Sequence, residues 1–290
     1  MTATLDQLVA PGVYDLPFDQ YLADPVAGGS LSASGVKRIL PPGCPAKFRL
    51  WRTEPREDKR HLDLGHAAHK IVLGAGAEIV KVDADEWRTN AVKADVAAIR
   101  AAGKTPLRPS DYDTAHAMAA EVRKHPVASK LFEPGTGKAE QTLVWRDGPS
   151  GVWRRSRLDW LPDPLENRRM LIADYKTAKS SAPVDIPKAV HDYGYHIQGD
   201  FYLAGVEALG LADGAVFLLV VQEKEPPYLV TVVELTAYAM KVGRLLNRLA
   251  MNTYAMCVAN DHWPGHTDDI ALLGLPPWVE SLYAEEINKP

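Results

Sequence analysis

Cysteine is nearly missing from this chain. Only Cys44 and Cys257 occur in 290 residues, too few and too far apart for a disulfide framework, and too few for the four thiolates of an iron–sulfur cluster. A reducing compartment, the cytoplasm, is the expected setting. No stretch approaches the ~18 apolar residues of a membrane helix. The start, Met1-Thr2-Ala3-Thr4-Leu5-Asp6, has neither the charged opening nor the apolar run of a secretory leader. Histidines and cysteines do not recur at zinc spacing, so zinc is not expected. The phosphate-binding loop of a helicase, Gly-x-x-x-x-Gly-Lys-Ser/Thr, is absent. Excess positive charge is lacking too. A formal net charge of −4 disfavours nucleic-acid binding over the whole surface.

What is present is enough apolar sequence, 46%, for a sizeable core. There are no internal repeats and no low-complexity linker to mark a boundary, which leaves one large domain or one domain with an elaborate flank. Charge is unevenly placed. Between Lys37 and Arg60 eight basic residues (Lys37, Arg38, Lys47, Arg49, Arg52, Arg56, Lys59 and Arg60) stand against three acids. Between Asp261 and Pro290 six acids stand against Lys289 alone. The basic segment reads either as solvated helix faces or as a rim that contacts phosphates, which needs local rather than net positive charge.

The first half reads as helices. Short ones are expected at Phe18–Ala23, after a Ser32 cap up to Pro41-Pro42-Gly43, and from Pro45 to Trp51. Leu62–Leu73 carries apolar residues at helical spacing and ends at Gly74. A short strand at Glu78–Val82 precedes two longer helices, Asp83–Ala102 and Ser110–Phe132, packed as a layer on a sheet. After Gly137 the texture changes. Ala139–Arg146, Val152–Leu161 and Met170–Tyr175 are rich in Val, Leu, Ile and Trp and are split by turn signals, which predicts a three-strand meander opening with a hairpin. A helix at Tyr193–Leu209, strands at Ala215–Gln222 and Leu229–Glu234, and an amphipathic helix at Thr236–Ala259 follow. That helix should turn Met240, Val242, Leu245, Leu246 and Leu249 inward. The last helix and the tail should cover a sheet edge. This order implies an α+β mixed sheet flanked by helices.

The chemistry concentrates between Trp153 and Tyr202. Asp159 lies within Arg157-Leu158-Asp159-Trp160-Leu161, and Asp174 within Leu171-Ile172-Ala173-Asp174-Tyr175. A carboxylate inside an apolar strand is costly to desolvate unless it is paired or binds a cation. Two such acids on neighbouring strands can hold Mg²⁺ through oxygen. Lys176, two residues past Asp174, projects to the same face. There it can orient or deprotonate an attacking water, or stabilise charge on phosphorus. The alternative is a pair of surface strand ends with a Lys–Asp ion pair. Gln198 and Tyr202, four apart, share one helix face. Glu140 opens the first strand and can add a third carboxylate, and His69 lies on the Leu62–Leu73 helix. Arg155 and Arg157 share the Asp159 face, as candidate phosphate contacts or as ion-pair partners of Asp147 or Glu166.

Asp159…Asp174-Tyr175-Lys176 resembles the PD-(D/E)xK nuclease core. Gly65-His66-Ala67-Ala68-His69 resembles the Gly-x-x-x-His element of its RecB-like branch, and Gln198-Gly199-Asp200-Phe201-Tyr202 the Gln-x-x-x-Tyr element. Leu31-Ser32-Ala33-Ser34-Gly35, Glu140 before Trp145, and Trp263-Pro264-Gly265…Leu275-Pro276-Pro277-Trp278 are similar to phage exodeoxyribonuclease VIII (RecE-type) enzymes.

The resemblance implies a restriction-endonuclease-like fold in a single nuclease domain over 1–290. That domain would have a mainly helical part at 1–135, a core at 136–260 and a tail at 261–290. It implies Asp159, Asp174, the Tyr175 main-chain carbonyl and His69 as metal ligands, with Lys176 catalytic and Glu140 beside them. Gln198, Tyr202, Arg155, Arg157, Lys37 and Arg38 would bind DNA or organise the site. It implies Mg²⁺, with Mn²⁺ substituting, and degradation of one strand from double-stranded DNA ends, 5′ to 3′, in phage-type recombination within a bacterial or phage-infected cell. A homo-oligomeric ring and a single-strand annealing protein would be the partners. A non-cleaving DNA-binding module and a structure-specific endonuclease of the same fold are the competing readings.

Overall fold

The structure, a computed structural model, describes residues 8–54, 63–166 and 168–289. Arg56, Lys59 and Arg60 of the basic segment, and Leu62, lie outside them. The N-terminal half holds β1 (Gly12–Tyr14), α1 (Phe18–Leu22), β2 (Leu31–Ser32), α2 (Ala33–Ile39), α3 (Pro45–Thr53), α4 (Asp63–Leu73), β3 (Ile79–Lys81), α5 (Asn90–Ala101), β4 (Thr105–Leu107), α6 (Pro109–Lys124) and α7 (Ala128–Leu131). The C-terminal half holds β5 (Gly137–Arg146), β6 (Trp153–Pro162), β7 (Leu171–Ala178), α8 (Ile186–Tyr193), α9 (Tyr195–Ala208), β8 (Val216–Glu223), β9 (Val230–Glu234), α10 (Ala237–Asn260) and α11 (Pro277–Ile287).

One sheet runs β1-β5-β6-β2, a second β7-β8-β9, and β3 and β4 form a small parallel pair. β5 and β6 are an antiparallel hairpin, as expected. The meander stops there. β7 pairs in parallel with β8 across α8 and α9, so these four elements make a crossover unit. Parallel pairing buries both faces of a strand. β8 is buried along all but its last residue. Phe217, Leu219 and Val221 pack with Phe201, Met251 and Tyr254, while Val216, Leu218 and Val220 pack with Ala68, Met118 and Val122. Helices therefore cover both faces, α9 and α10 on one side and α4 and α6 on the other. Each fully buried side chain of this size stabilises the fold by about 1.5–3 kcal/mol.

Local chemistry explains the other departures. The Ser32 side chain accepts from the Gly35 amide as the α2 cap. α5 starts at Asn90 rather than Asp83, because Thr89 accepts from the Val92 amide. α6 starts with Pro109 at its first position, one residue before the expected Ser110 cap. It stops at Lys124, because His125 precedes Pro126 and is extended there. The helical N-terminal part also donates β1 and β2 to the larger sheet.

α10 keeps only part of the expected orientation: Met240 and Leu246 pack against the core. Leu245 and Leu249 are exposed, while Gly243, Asn247, Ala250, Met251 and Tyr254 are buried. Asn247 donates to the Ile197 carbonyl and to Asp200, so a polar anchor rather than the leucine stripe sets the packed face. The tail does not cover an edge. Trp263 packs on Phe48 and Tyr254, but α11 buries no residue.

Candidate active site

β6 and β7 abut where the two larger sheets meet, and Asp159 joins them. Its Oδ2 accepts the Tyr175 main-chain N–H at 2.8 Å. An extended residue turns its N–H and C=O to the same neighbour, so the Tyr175 carbonyl also faces β6. The Tyr175 ring is buried in the opposite layer, against Phe132.

Asp174 lies on the other face of β7 from that ring and is fully buried. Its Oδ1 accepts from Gln198 at 2.8 Å, and its Oδ2 is in contact with Lys176 as an ion pair. Gln198 also donates to the Tyr202 hydroxyl, which donates to the Arg157 carbonyl, both at 2.8 Å. The i, i+4 pair on α9 is thus a strap from β7 to β6.

α4 closes the site from the N-terminal half. A side chain at Gly65 would bring its Cβ within 3.1 Å of Thr177 Oγ1, so glycine lets α4 lie close against β7 at Thr177. One turn later His69 presents Nε2 to Asp159 Oδ1 at 3.2 Å and Nδ1 to Glu140 Oε1 at 3.5 Å. Glu140 sits at φ 58°, in the left-handed region, and has no ladder partner where Ala139 and Gln141 do. Non-glycine residues rarely hold that conformation, and it clusters at functional sites.

The expected DNA-facing residues divide. Arg157 is committed to Glu140, donating from Nε at 2.8 Å, and to the Leu16 carbonyl at 2.6 Å. Arg155 is buried and donates to Ser30 and the Tyr21 carbonyl, with Asp24 at 2.9 Å. Neither guanidinium presents an open face to a phosphate, and neither pairs with Asp147 or Glu166. Asp147 instead accepts from Arg248 and lies 4.0 Å from Arg154. Lys37 and Arg38 are exposed. Lys37 Nζ donates to the Tyr193 carbonyl at 2.6 Å, and Arg38 stacks over Trp51. Tyr195, which the motifs do not single out, carries its ring 5.6 Å from Lys176 Nζ.

The electrostatics are those of a compressed charge cluster. Burial and the neighbouring Asp159 push Asp174 up to about 6 despite Lys176. Burial works against ionised Asp159, but His69, Lys176 and the Tyr175 amide outweigh it and lower its pKa. Burial likewise opposes charge on His69 and on Lys176, and the carboxylates outweigh it, raising both. Lys37 is lowered by the protein packed around its ammonium and by Lys176.

Among the described residues no three His, Cys, Asp or Glu side chains already converge as a metal cluster. The acids are turned to His69, Tyr175 and Lys176 instead. The donor set nevertheless fits a hard divalent cation. Asp159 and the buried Asp174 lie close enough to repel each other, and among the described residues Asp174 Oδ2 is held by the Lys176 ammonium alone rather than by a network of neutral donors. Oxygen ligands in that state are what such an ion satisfies.

A family described as a PDDEXK-like domain of unknown function (DUF3799) matches residues 32–275. The chain belongs to that family. A crystal structure of a protein from Eubacterium rectale, described there as a candidate exonuclease, superposes with a TM-score of 0.58 at 15% identity, over 93% of this chain and 99% of that one. No curated protein sequence matches significantly. The PDDEXK-like family and the fold agree with the mixed sheet flanked by helices read from the sequence. Among the described residues no helix is long and apolar enough to cross a membrane.

Proposed function

We propose that this PDDEXK-like domain is a divalent-metal-dependent nuclease that degrades one strand from double-stranded DNA ends. The observation that carries the reading is the meeting of Asp159, Asp174 and Lys176 at one seam between two sheets, with His69 brought in by α4. Asp159, Asp174, the Tyr175 carbonyl and His69 Nε2 would hold the ion, Mg²⁺ with Mn²⁺ substituting. Bound there, the ion supplies Lewis-acid activation of a water and neutralises charge at the scissile phosphate.

The chain's own residues do the rest. Gln198 and Tyr202 hold Asp174 in register with β6. Glu140 faces His69 Nδ1 and fixes the ring, as carboxylates behind metal-binding histidines do. Lys176, whose pKa the two carboxylates raise in the metal-free protein, stands where it can stabilise negative charge building on the phosphoryl oxygens or orient the attacking water.

The finer reading is an exonuclease similar to the RecE type, acting 5′ to 3′ in phage-type recombination, as a homo-oligomeric ring that feeds a single-strand annealing protein. It rests on the Gly65-x-x-x-His69, Gln198-x-x-x-Tyr202 and Trp263-Pro264-Gly265 elements together. The test is digestion of linear duplex labelled at the 5′ or the 3′ end, beside a covalently closed circle, with Mg²⁺ or EDTA. Metal-dependent release of the 5′ label first, with the circle intact, is expected. Binding without cleavage in Mg²⁺ and Mn²⁺ would overturn the nuclease reading, and a cut circle would replace exonuclease with endonuclease.

A further inference from the structure

α8 and α9 meet at a single residue, Gly194, held at φ 66° and ψ 37°. That left-handed conformation turns the chain sharply between two helices without a loop. The corner carries two aromatic residues. Tyr193 ends α8 and is 60% exposed. Tyr195 begins α9, half-buried against the core. Their ring centroids are 5.7 Å apart at 33°. The Tyr195 ring is in turn 5.6 Å from the Lys176 ammonium.

The corner is pinned from a third element. Lys37 of α2 donates to the Tyr193 carbonyl, and its aliphatic chain lies where a Cβ on Gly194 would stand, 2.5 Å from its Cδ. Three steps therefore lead outward from the buried acid: Asp174 to Lys176, Lys176 to Tyr195, Tyr195 to Tyr193. Neither of the last two exceeds 6 Å. Tyr193 belongs to none of the apolar clusters, so core packing does not account for an aromatic ring fixed at this corner.

We infer that Tyr193 and Tyr195 form a stacking platform for an unpaired nucleobase next to the attacked phosphate. The inference rests on the nuclease reading for its substrate and adds the form in which the strand is taken. Bases inside a duplex are already stacked on their neighbours, so a side-chain ring gains a base only where the strand is frayed or single-stranded. The phosphate attacked at Asp174 and Lys176 then belongs to a nucleotide lifted from its partner. Lys37, pinned at the corner, flanks the same strand. Stacking of this kind is tolerant of sequence, because every base has a π-face.

The test uses the full chain and a DNA duplex whose last nucleotide is an unpaired 2-aminopurine, in Ca²⁺ to hold the strand uncut. Wild-type protein should quench the 2-aminopurine on binding. Tyr193→Ala should lose most of the quench and weaken binding of this DNA roughly ten- to hundredfold. Tyr193→Phe, which keeps the ring, should retain both. Tyr238→Ala, an exposed tyrosine at the start of α10, should behave as wild type. Equal quench and affinity for Tyr193→Ala and wild type would overturn the platform. Cleavage by the wild type in Mg²⁺ is measured alongside. Intact DNA there would sink the nuclease reading, whereas the quench decides the platform on its own.

Discussion

The Asp159 carboxylate accepts the main-chain N–H of Tyr175 at 2.8 Å, and this contact stands where a strand-to-strand ladder bond would otherwise join β6 to β7. One side chain therefore serves both the architecture and the candidate metal site. The two roles separate by substitution. Asp159→Asn keeps an oxygen that accepts the Tyr175 amide but loses the charge that attracts a cation. Nuclease activity should be abolished while the urea midpoint stays near wild type. Asp159→Ala leaves the buried amide unpaired and should also cost about 1–3 kcal/mol of stability. Full activity in Asp159→Asn would remove Asp159 from the metal site.

Gln198 makes a second prediction possible. It orients Asp174 Oδ1 and is itself held by Tyr202. Outer partners of this kind set ligand geometry, and losing one weakens metal affinity about 10–100-fold. Gln198→Ala should show that loss in a calorimetric Mn²⁺ titration, with activity recovering at high Mn²⁺. Unchanged Mn²⁺ affinity would make the strap structural only.

The sequence made the site's members legible and hid their geometry. Asp159, Asp174, Lys176, His69 and Glu140 stand out as polar residues in apolar strands or on an apolar helix, and the fold does bring them together. The β7–β8 pairing was not legible, because a strand followed by a turn reads as a local hairpin whatever its true neighbour, and the crossover helices intervene. The partners of the arginines were hidden for a related reason. Arg155 and Arg157 do alternate onto the Asp159 face, but residue type does not reveal that Asp24 and Glu140 lie close enough to claim them. Tyr195 is one tyrosine among eleven, and only its distance to Lys176 marks it.

The charge cluster predicts how pH acts on the metal-free protein. Asp174 is raised to about 6, above the ~4 of an unfolded aspartate. The folded state thus binds the proton more tightly, and stability falls as pH rises from about 4 through 6. His69 is raised above its ordinary value, so its contribution is present at acid pH and is also lost as pH rises through its folded pKa. Asp159 is lowered and acts oppositely, but only where pH falls below the usual carboxylate range. Between pH 5 and 8, then, the wild type should lose stability relative to Asp174→Asn. Added Mg²⁺ or Mn²⁺ should stabilise the wild type more at pH 8 than at pH 5, since the ion must displace the protons. Thermal melts of both proteins across that range check this. Parallel pH profiles for the two would refute a strained acid at Asp174.

The same geometry separates residues that contact DNA from residues that hold the site. Arg157 is mostly buried, and its Nη2 reaches Glu140 at 2.6 Å. Removing one partner of a buried pair leaves the other uncompensated, at about 3–5 kcal/mol. Arg157→Ala should therefore lower the urea midpoint strongly. At temperatures where it remains folded, it should leave the salt dependence of DNA binding unchanged. Lys37 keeps a solvent-exposed side chain beside the site although Tyr193 and Lys176 crowd its ammonium, so it can still reach a phosphate. Lys37→Gln keeps a donor for the Tyr193 carbonyl and removes the charge. It should leave stability near wild type and reduce the slope of log affinity against log salt by about 1, the value for one phosphate contact. The two variants are compared by DNA binding in Ca²⁺ from low to moderate salt. A reduced slope for Arg157→Ala with an unchanged one for Lys37→Gln would reverse the assignment, with Arg157 at the DNA and Lys37 only bracing the α8–α9 corner.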